Sequence, residues 1–541
     1  FGISSTPTFD EIIALNNSLE GFNHIIISLH GLRQYPGRNF GITKEMANAV
    51  KLLEAKGKVT LVYFGNPYGL KHLEKLDEIE SILVVYHDGE FQQEYAAQAL
   101  FGAIEVNGKL PVTVSNTYPA GTGFSTESLG TFKYTQPEEV NITSLDLAHI
   151  DSIALEGILD GAYPGCQVLV AKSGKVIYKK NFGYYTYDNK KPVSDASIYD
   201  LASITKIAST TLSVMKLYDD KKFDLDKYLC DYLPDLVDSA AQPYGEIVLR
   251  DMLSHKAGLT PWIPFYKNTL VNGYPKYSYY SLVQSETYPF RVAESLYMHK
   301  DYPNRILSEL LSTPLSESKK YKYSDLGYYF LTEIIEKQSN LSQDKYVAEN
   351  FYKPMGLATA TYKPMNFHPK EIIVPTENDN TFRRQLVHGD VHDPGAAMMG
   401  GVAGHAGLFS NANDLAKIMQ CFMNFGEYGG RRYISEETVK EFVRCQFCEE
   451  DNRRGAGFDK PVRNGGGGPT CNCVSLESFG HTGFTGTMAW ADPDEEIVYI
   501  FLSNRVYPDA SNTKLLNMDI RTRIQEVIYD AVANSKAQPE G

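Results

Sequence analysis

Tyr199-Asp200-Leu201-Ala202-Ser203-Ile204-Thr205-Lys206 sets a serine and a lysine three residues apart at the head of an apolar run. Ile204, Ile207, Ala208, Thr211, Met215 and Tyr218 recur at helical spacing, and no Pro or Gly interrupts them before Asp219. Residues three apart share a helix face, so the spacing predicts the Ser203 hydroxyl beside the Lys206 amine. The free N–H groups of a first helical turn would lie close by, where they stabilise negative charge. A nucleophile, a proton acceptor and part of an oxyanion site thus fit one short stretch. Ser-x-x-Lys also arises by chance, so its meaning rests on partner motifs farther along the chain.

Two such motifs occur, in order. Tyr323-Ser324-Asp325 offers a phenol that can relay a proton where nearby cations such as Lys206 lower its pKa. His481-Thr482-Gly483 lies within Phe479-Gly480-His481-Thr482-Gly483-Phe484-Thr485-Gly486-Thr487. Small residues on an edge strand let a substrate backbone approach and pair. The N–H of Phe484 would then join that of Ser203 as an oxyanion hole. Singly, the first motif reads as a helix start and the second as a turn; their order is what sets them apart.

Around these motifs, Cys166–Lys172 and Val176–Phe182 read as strands joined through Ser173-Gly174, a hairpin signal. Strands return at Thr487–Ala491 and Ile497–Leu502, followed by a helix over 516–533. A helix over 145–161 precedes them, and the text between is mostly helical. The expected architecture is α+β: an antiparallel sheet built from both ends of the module, flanking helices and an inserted helical lobe. Ser203 opens that lobe, between the two parts, where pockets are usual.

Residues 145–534 resemble the serine β-lactamase and penicillin-binding-protein-like superfamily, above all class C β-lactamases, D-alanyl-D-alanine carboxypeptidases and related esterases. The resemblance rests on Leu201-Ala202-Ser203-Ile204-Thr205-Lys206, Met252-Leu253-Ser254-His255-Lys256-Ala257-Gly258-Leu259, Pro354-Met355-Gly356-Leu357, Gly404-His405-Ala406-Gly407-Leu408-Phe409-Ser410 and His481-Thr482-Gly483. It implies a serine hydrolase that forms an acyl-enzyme on amide or ester bonds. By it, Ser203 is the nucleophile, Lys206 helps deprotonate it, and Tyr323 is general base and acid. Asp325, His481, Thr482, Gly483 and Phe484 bind substrate and oxyanion. Asp325 stands where class C enzymes carry Asn, which puts in doubt the amide contact to a β-lactam side chain. His481 replaces the usual Lys and is only partly charged at neutral pH, so its pull on a substrate carboxylate should be weaker and pH-dependent. This chemistry calls for no metal and no cofactor.

Residues 20–116 alternate strand and helix text. Short apolar runs at Ile25–Leu29, Val59–Phe64 and Ile82–Tyr86 alternate with helices near 43–56, 68–75 and 90–103, which implies a parallel sheet. Gly65-Asn66-Pro67-Tyr68, Ala97-Gln98-Ala99-Leu100-Phe101-Gly102 and Gly108-Lys109-Leu110-Pro111-Val112-Thr113-Val114 resemble the C-terminal α/β sandwich domain of glycoside hydrolase family 3. That resemblance spans residues 1–117. It implies a glycosidase barrel ahead of this domain in the full-length chain, and the family's catalytic groups on that barrel. His87 and Asp88 follow a strand, where ligands often bind in open α/β sheets, but read first as loop residues. Residues 118–144 are poor in apolar text and read as a linker, and 535–541 as a frayed tail.

The chain has 541 residues, 43 % hydrophobic and 22 % charged, as multidomain globular proteins do. A net charge of −14 argues against nucleic acid as a partner. No apolar run is long enough to cross a bilayer. The chain starts at Phe1, so it reads as a piece of a longer or processed protein. Cys166, Cys230 and Cys421 read as core residues. Cys445, Cys448, Cys471 and Cys473 flank Gly465-Gly466-Gly467-Gly468, a surface loop, and read as free thiols or one local disulfide rather than a zinc staple. His255 and His405 read as structural, as does the run His388 to Asp393; Arg383 and Arg384 read as either cleft or solvated residues. The fusion suggests cell-wall-derived peptides or muropeptides as substrates and a periplasmic or envelope location. The competing class is a catalytically weak module that binds peptidoglycan peptides beside the glycosidase barrel.

Overall fold

The structure is a computed structural model and describes residues 1–55, 57–235, 242–463 and 467–537. The chain forms two compact units, Phe1–Lys133 and Tyr134–Gly541. Gly465 and Gly466 of the glycine run, and 538–541 of the expected tail, lie outside the described residues.

The first unit is built on three parallel strands, His24–Leu29, Lys58–Tyr63 and Ser81–Val84, with the second in the middle. That middle strand is buried along nearly its whole length, as a continuous Val-Thr-Leu-Val run requires. Helix Lys44–Glu54 starts where Thr43 accepts the N–H of Met46, and its buried face carries Met46, Ala49, Val50 and Leu53. Met46, Val50 and Leu53 join Ile25, Leu29, Leu61 and Tyr63 in one core. The helix expected near 68–75 is instead a 3-10 segment, Pro67–His72, capped by Asn66. Gly69 allows it to lie against Tyr63, since a Cβ there would fall 2.0 Å from the Tyr63 hydroxyl. The stretch 118–144 is divided between the units. Thr122, Thr126 and Leu129 hydrogen-bond back to Leu110, Val106 and Gly102, whereas Pro137–Val140 is a 3-10 turn of the second unit. Few apolar residues suffice there because the backbone groups are paired.

The second unit contains a six-stranded sheet in the order Phe479–Gly483, Thr487–Asp492, Ile497–Ser503, Gly165–Lys172, Lys175–Gly183, Lys133–Tyr134. The pairs from Phe479 to Gly183 are antiparallel. Helices His149–Leu159 and Ile520–Ala537 cover one face over Val168, Val170, Trp490, Tyr499 and Phe501. Helix Ala412–Met423 lies on the opposite face, which is why Ile497–Ser503 is buried at every position. The last helix runs through Ser535 to Ala537, into the expected tail.

The inserted lobe is less helical than its text suggests. Tyr280–Ser281, Leu296–Met298 and Phe290–Ala293 form a small antiparallel sheet, since aromatic and β-branched residues close to a Glu-Ser turn favour strands. A second small sheet pairs Tyr199–Asp200 with Leu408–Ser410 and Thr361–Tyr362, and Ser203 leaves from its end.

Candidate active site

Ser203 does not open a regular helix. Ala202–Ile204 is one 3-10 turn, Lys206–Thr211 a π-helical turn, and an α-helix begins only at Leu212. Ala202 holds a left-handed φ of +47°, an uncommon state for a residue with a Cβ. Asp200 holds the turn by accepting the Ala202 N–H at 2.8 Å. Thr205 accepts the Leu408 N–H at 3.1 Å, and Thr210 donates to the Gly404 carbonyl at 2.7 Å. Hydroxyls that compete with the helical ladder, together with the widened turn, explain why apolar spacing alone missed this geometry.

The turn brings together the three expected groups. Lys206 Nζ donates to Ser203 Oγ at 3.0 Å, and the Tyr323 hydroxyl donates to the same oxygen at 3.1 Å. Lys206 is fully buried. Its Nζ also donates to the His405 carbonyl at 3.1 Å and lies 2.6 Å from Asp325 Oδ1. Two hydrogen-bond acceptors and one carboxylate thus surround the ammonium. Burial lowers its pKa, but Asp325 and then Tyr323 outweigh that and hold it above the ordinary lysine value. Asp325 therefore pairs with Lys206 instead of facing a substrate side chain.

Tyr323 corrects the expectation of an acidified phenol. Burial raises its pKa above the ordinary value, and Lys206 offsets this only in part. Its ring is enclosed by titratable groups: Lys206 Nζ is 5.3 Å from its centre, and the His255 and His481 rings are 4.6 and 5.9 Å away.

His481 lies in the edge strand Phe479–Gly483 and is buried. Its Nδ1 donates to the Thr482 carbonyl at 2.7 Å, which leaves Nε2 as the lone-pair nitrogen, and that atom has no partner. Burial first, then Arg454 and Lys206, push its pKa down to about 3. It is a neutral imidazole at physiological pH, so the pH-dependent pull expected of it does not arise. In an NMR titration from pH 5 to 8 the His481 ring carbons are expected to hold their neutral shifts; a midpoint near 6.5 would contradict this.

Thr482 is half-buried, and Gly483 is pressed against the turn that carries Ser203. A Cβ on Gly483 would sit 2.0 Å from Thr487 Oγ1 and 2.5 Å from the Leu201 carbonyl. Thr485 and Thr487 complete the join by donating to the carbonyls of Asp200 and Leu201 at 2.8 and 3.1 Å. The Phe484 side chain is exposed, stacked on His392 at 5.6 Å and lying under Arg505 at 4.5 Å.

Arg454 is a neighbour of this site that no motif announced. Its guanidinium carbon is 5.3 Å from the Tyr323 ring centre. Nε and Nη2 donate to the Tyr321 hydroxyl at 3.3 and 3.1 Å, and Nε is 3.4 Å from Asp459. Nη1 is buried with no partner. The sequence signal is only a pair of arginines before Gly455, in a segment without periodicity. Arg454→Met should disfavour the Tyr323 phenolate and move the ascending, acidic limb of the pH–rate profile upward by about one unit. Arg454→Lys should hold it near the parent, and a profile unmoved in both variants would refute this.

His405 donates from Nε2 to Asp393 at 2.8 Å and stacks on Tyr329, so it orients the carbonyl that binds Lys206. His255 Nδ1 accepts the Ser324 N–H at 3.2 Å, and its ring supports Tyr323. Arg383 is buried in a pair with Asp379 and donates to the carbonyls of Val391 and His392, a structural clamp. Arg384 is exposed and donates to the Gly273 carbonyl. His388 bonds to the Ile373 carbonyl and His392 to Glu377. Among the described residues no group of three His, Cys, Asp or Glu side chains is arranged to hold a metal ion. The four loop cysteines form two disulfides, Cys445–Cys448 and Cys471–Cys473, where at most one was expected. Of the three isolated cysteines, Cys166 and Cys421 are buried and Cys230 is exposed.

Comparison with known proteins bears on the second unit. The Beta-lactamase family model matches residues 150–519. A protein of Escherichia coli (strain K12) named "Putative D-alanyl-D-alanine carboxypeptidase" is 33 % identical over 386 residues, covering 66 % of this chain and 83 % of its own length. A protein of the same name from Salmonella agona (strain SL483) is 31 % identical over 404 residues, covering 70 % and 87 %. Among solved structures, EstCE1, a hydrolase with promiscuous acyltransferase activity, superposes with a TM-score of 0.53 at 18 % identity, over 71 % of this chain and 99 % of its own. The octameric penicillin-binding protein homologue from Pyrococcus abyssi gives 0.50 at 19 % identity, over 69 % and 76 %. The structural matches speak for the fold, and the sequence matches for descent. The chain therefore belongs to the Beta-lactamase family and is a serine hydrolase.

Proposed function

We propose that Ser203 is the acylated nucleophile, and that the substrates are cell-wall peptides or their esters. The observation that carries this reading is the double hydrogen bond into Ser203 Oγ, from Lys206 Nζ at 3.0 Å and the Tyr323 hydroxyl at 3.1 Å. Two donors on one oxygen stabilise the alkoxide that attacks a carbonyl. Lys206 rests as an ammonium and cannot accept the proton, so Tyr323 is the acceptor, its phenolate held by Lys206 and Arg454. The N–H groups of Ser203 and Phe484 receive the oxyanion. Tyr323 then returns the proton to the leaving group and activates the water that releases the acyl group. Because the base must be a phenolate of raised pKa, the acylation rate rises with pH across the neutral range.

The names of the carboxypeptidase relatives support a peptide ending in D-alanyl-D-alanine and work at the cell envelope. Among the described residues no helix is long and apolar enough to cross a membrane. The first unit's parallel sheet is compatible with the family 3 glycosidase C-terminal domain, and a barrel preceding it remains part of the proposal. Mass spectrometry after incubation with a penicillin or a fluorophosphonate tests the site. A covalent adduct on Ser203, absent in Ser203→Ala, is expected. No adduct on Ser203 under any condition, or labelling of the parent chain only at other residues, sinks the reading.

A further inference from the structure

Asp88 is more than a loop residue. Ser28 Oγ lies 2.6 Å from His30 Nε2, and His30 Nδ1 lies 2.9 Å from Asp88 Oδ1. Asp88 also accepts the Gly31 N–H at 2.7 Å and Gln93 Nε2 at 2.8 Å. Burial raises its pKa, but these bonds and the one from His30 outweigh that and keep it ionised. An ionised carboxylate only accepts, so His30 carries its proton on Nδ1 and turns the Nε2 lone pair to the Ser28 hydroxyl. The His30 ring is stacked at 4.5 Å on the buried Phe64. An exposed histidine held on one face and at both nitrogens has lost side-chain freedom that solvent would otherwise allow. All these residues belong to the first unit. Ser28 is in its first strand, and His30 and Asp88 follow the ends of the first and third, at the carboxyl edge where open α/β sheets bind ligands.

We propose that Ser28, His30 and Asp88 form a second nucleophilic site, separate from Ser203, that hydrolyses carboxylic esters. Ser28 Oγ bonds to the ester carbonyl carbon as its proton passes to His30 Nε2. The bond to the leaving alkoxide breaks, and that oxygen takes the proton from His30. Water repeats the exchange: its proton goes to His30 Nε2, its oxygen bonds to the acyl carbon, the bond to Ser28 Oγ breaks as that oxygen takes the proton back from His30, and the acid leaves. Helix Glu90–Leu100 begins just beyond Asp88 with Gly89 as a cap that lacks a side-chain acceptor. That leaves its first-turn N–H groups without a capping side chain.

The test uses the full chain with Ser203→Ala, which silences the first site. A fluorophosphonate should then label Ser28 in peptide mass spectra, and slow turnover of p-nitrophenyl acetate should remain. Adding His30→Gln or Asp88→Asn should lower that turnover about 100-fold. Adding Ser28→Ala, a change at an exposed hydroxyl that the fold does not need, should remove both label and turnover. No label on Ser28, or residual turnover that survives Ser28→Ala, overturns the proposal. Either result leaves the reading of Ser203, judged in the parent chain, untouched.

Discussion

Lys206→Met should reduce acylation of Ser203 by about ten-thousandfold, the upper range for loss of a positioned acid–base group. The lysine donates to Ser203 Oγ at 3.0 Å and faces the Tyr323 ring at 5.3 Å. Its removal takes one of two donors from the alkoxide and the nearest cation from the phenolate. It also leaves the carboxylate of Asp325, 18 % exposed, without its cation. Breaking a largely buried pair from one side costs about 3 kcal/mol or more, so the melting temperature should fall with the rate. Stopped-flow acylation by a chromogenic ester, read beside thermal unfolding, separates the two effects. A variant that keeps its rate after losing stability would place the chemistry elsewhere.

Asp325→Asn should change the pH profile more than the fold. With the carboxylate gone, the force that raises the Lys206 pKa is removed while burial continues to lower it. The lysine then loses its proton at a pH about 1–3 units lower, and can accept one from Ser203. The acidic limb of acylation should move down by a comparable amount, and the variant should use Lys206 where the parent uses Tyr323. Tyr323→Phe discriminates: in the parent it should abolish acylation, in the Asp325→Asn background only weaken it. Identical pH profiles for parent and Asp325→Asn would defeat this account.

Much of this was legible in the residues. The hydrophobic alternation and turn signals at 165–183 and 487–503 were enough to expect one antiparallel sheet from two distant parts of the chain. Ser203, Lys206, Tyr323 and His481 could be singled out by residue type and order. What could not be read was protonation. Whether Tyr323 is acidified depends on how deeply it is buried, and whether His481 is charged depends on its burial and then on Arg454, 27 positions away in sequence and silent as a motif. Likewise Asp325 looked like a substrate contact because its identity was visible and its distance to Lys206 was not. The broken helix after Ser203 escaped for a related reason. Apolar spacing reports which side faces the core, and the hydroxyl bonds of Thr205 and Thr210 changed the turn without altering that pattern.

The sheet of the second unit also fixes when the enzyme can exist. Its inner strands, Gly165–Lys172 and Ile497–Ser503, come from opposite ends of the unit, and the bond from Ser173 to Glu496 spans 323 residues. On the ribosome, Ser203 and Lys206 emerge long before the strand that holds Gly483 and His481, so a nascent chain carries the proposed nucleophile without its opposite wall. Such distant pairing is slow to form and leaves sheet edges open meanwhile. Activity should therefore appear in a single step once synthesis has passed the last strand, and chains arrested before Ile497 should be both inert and prone to aggregate.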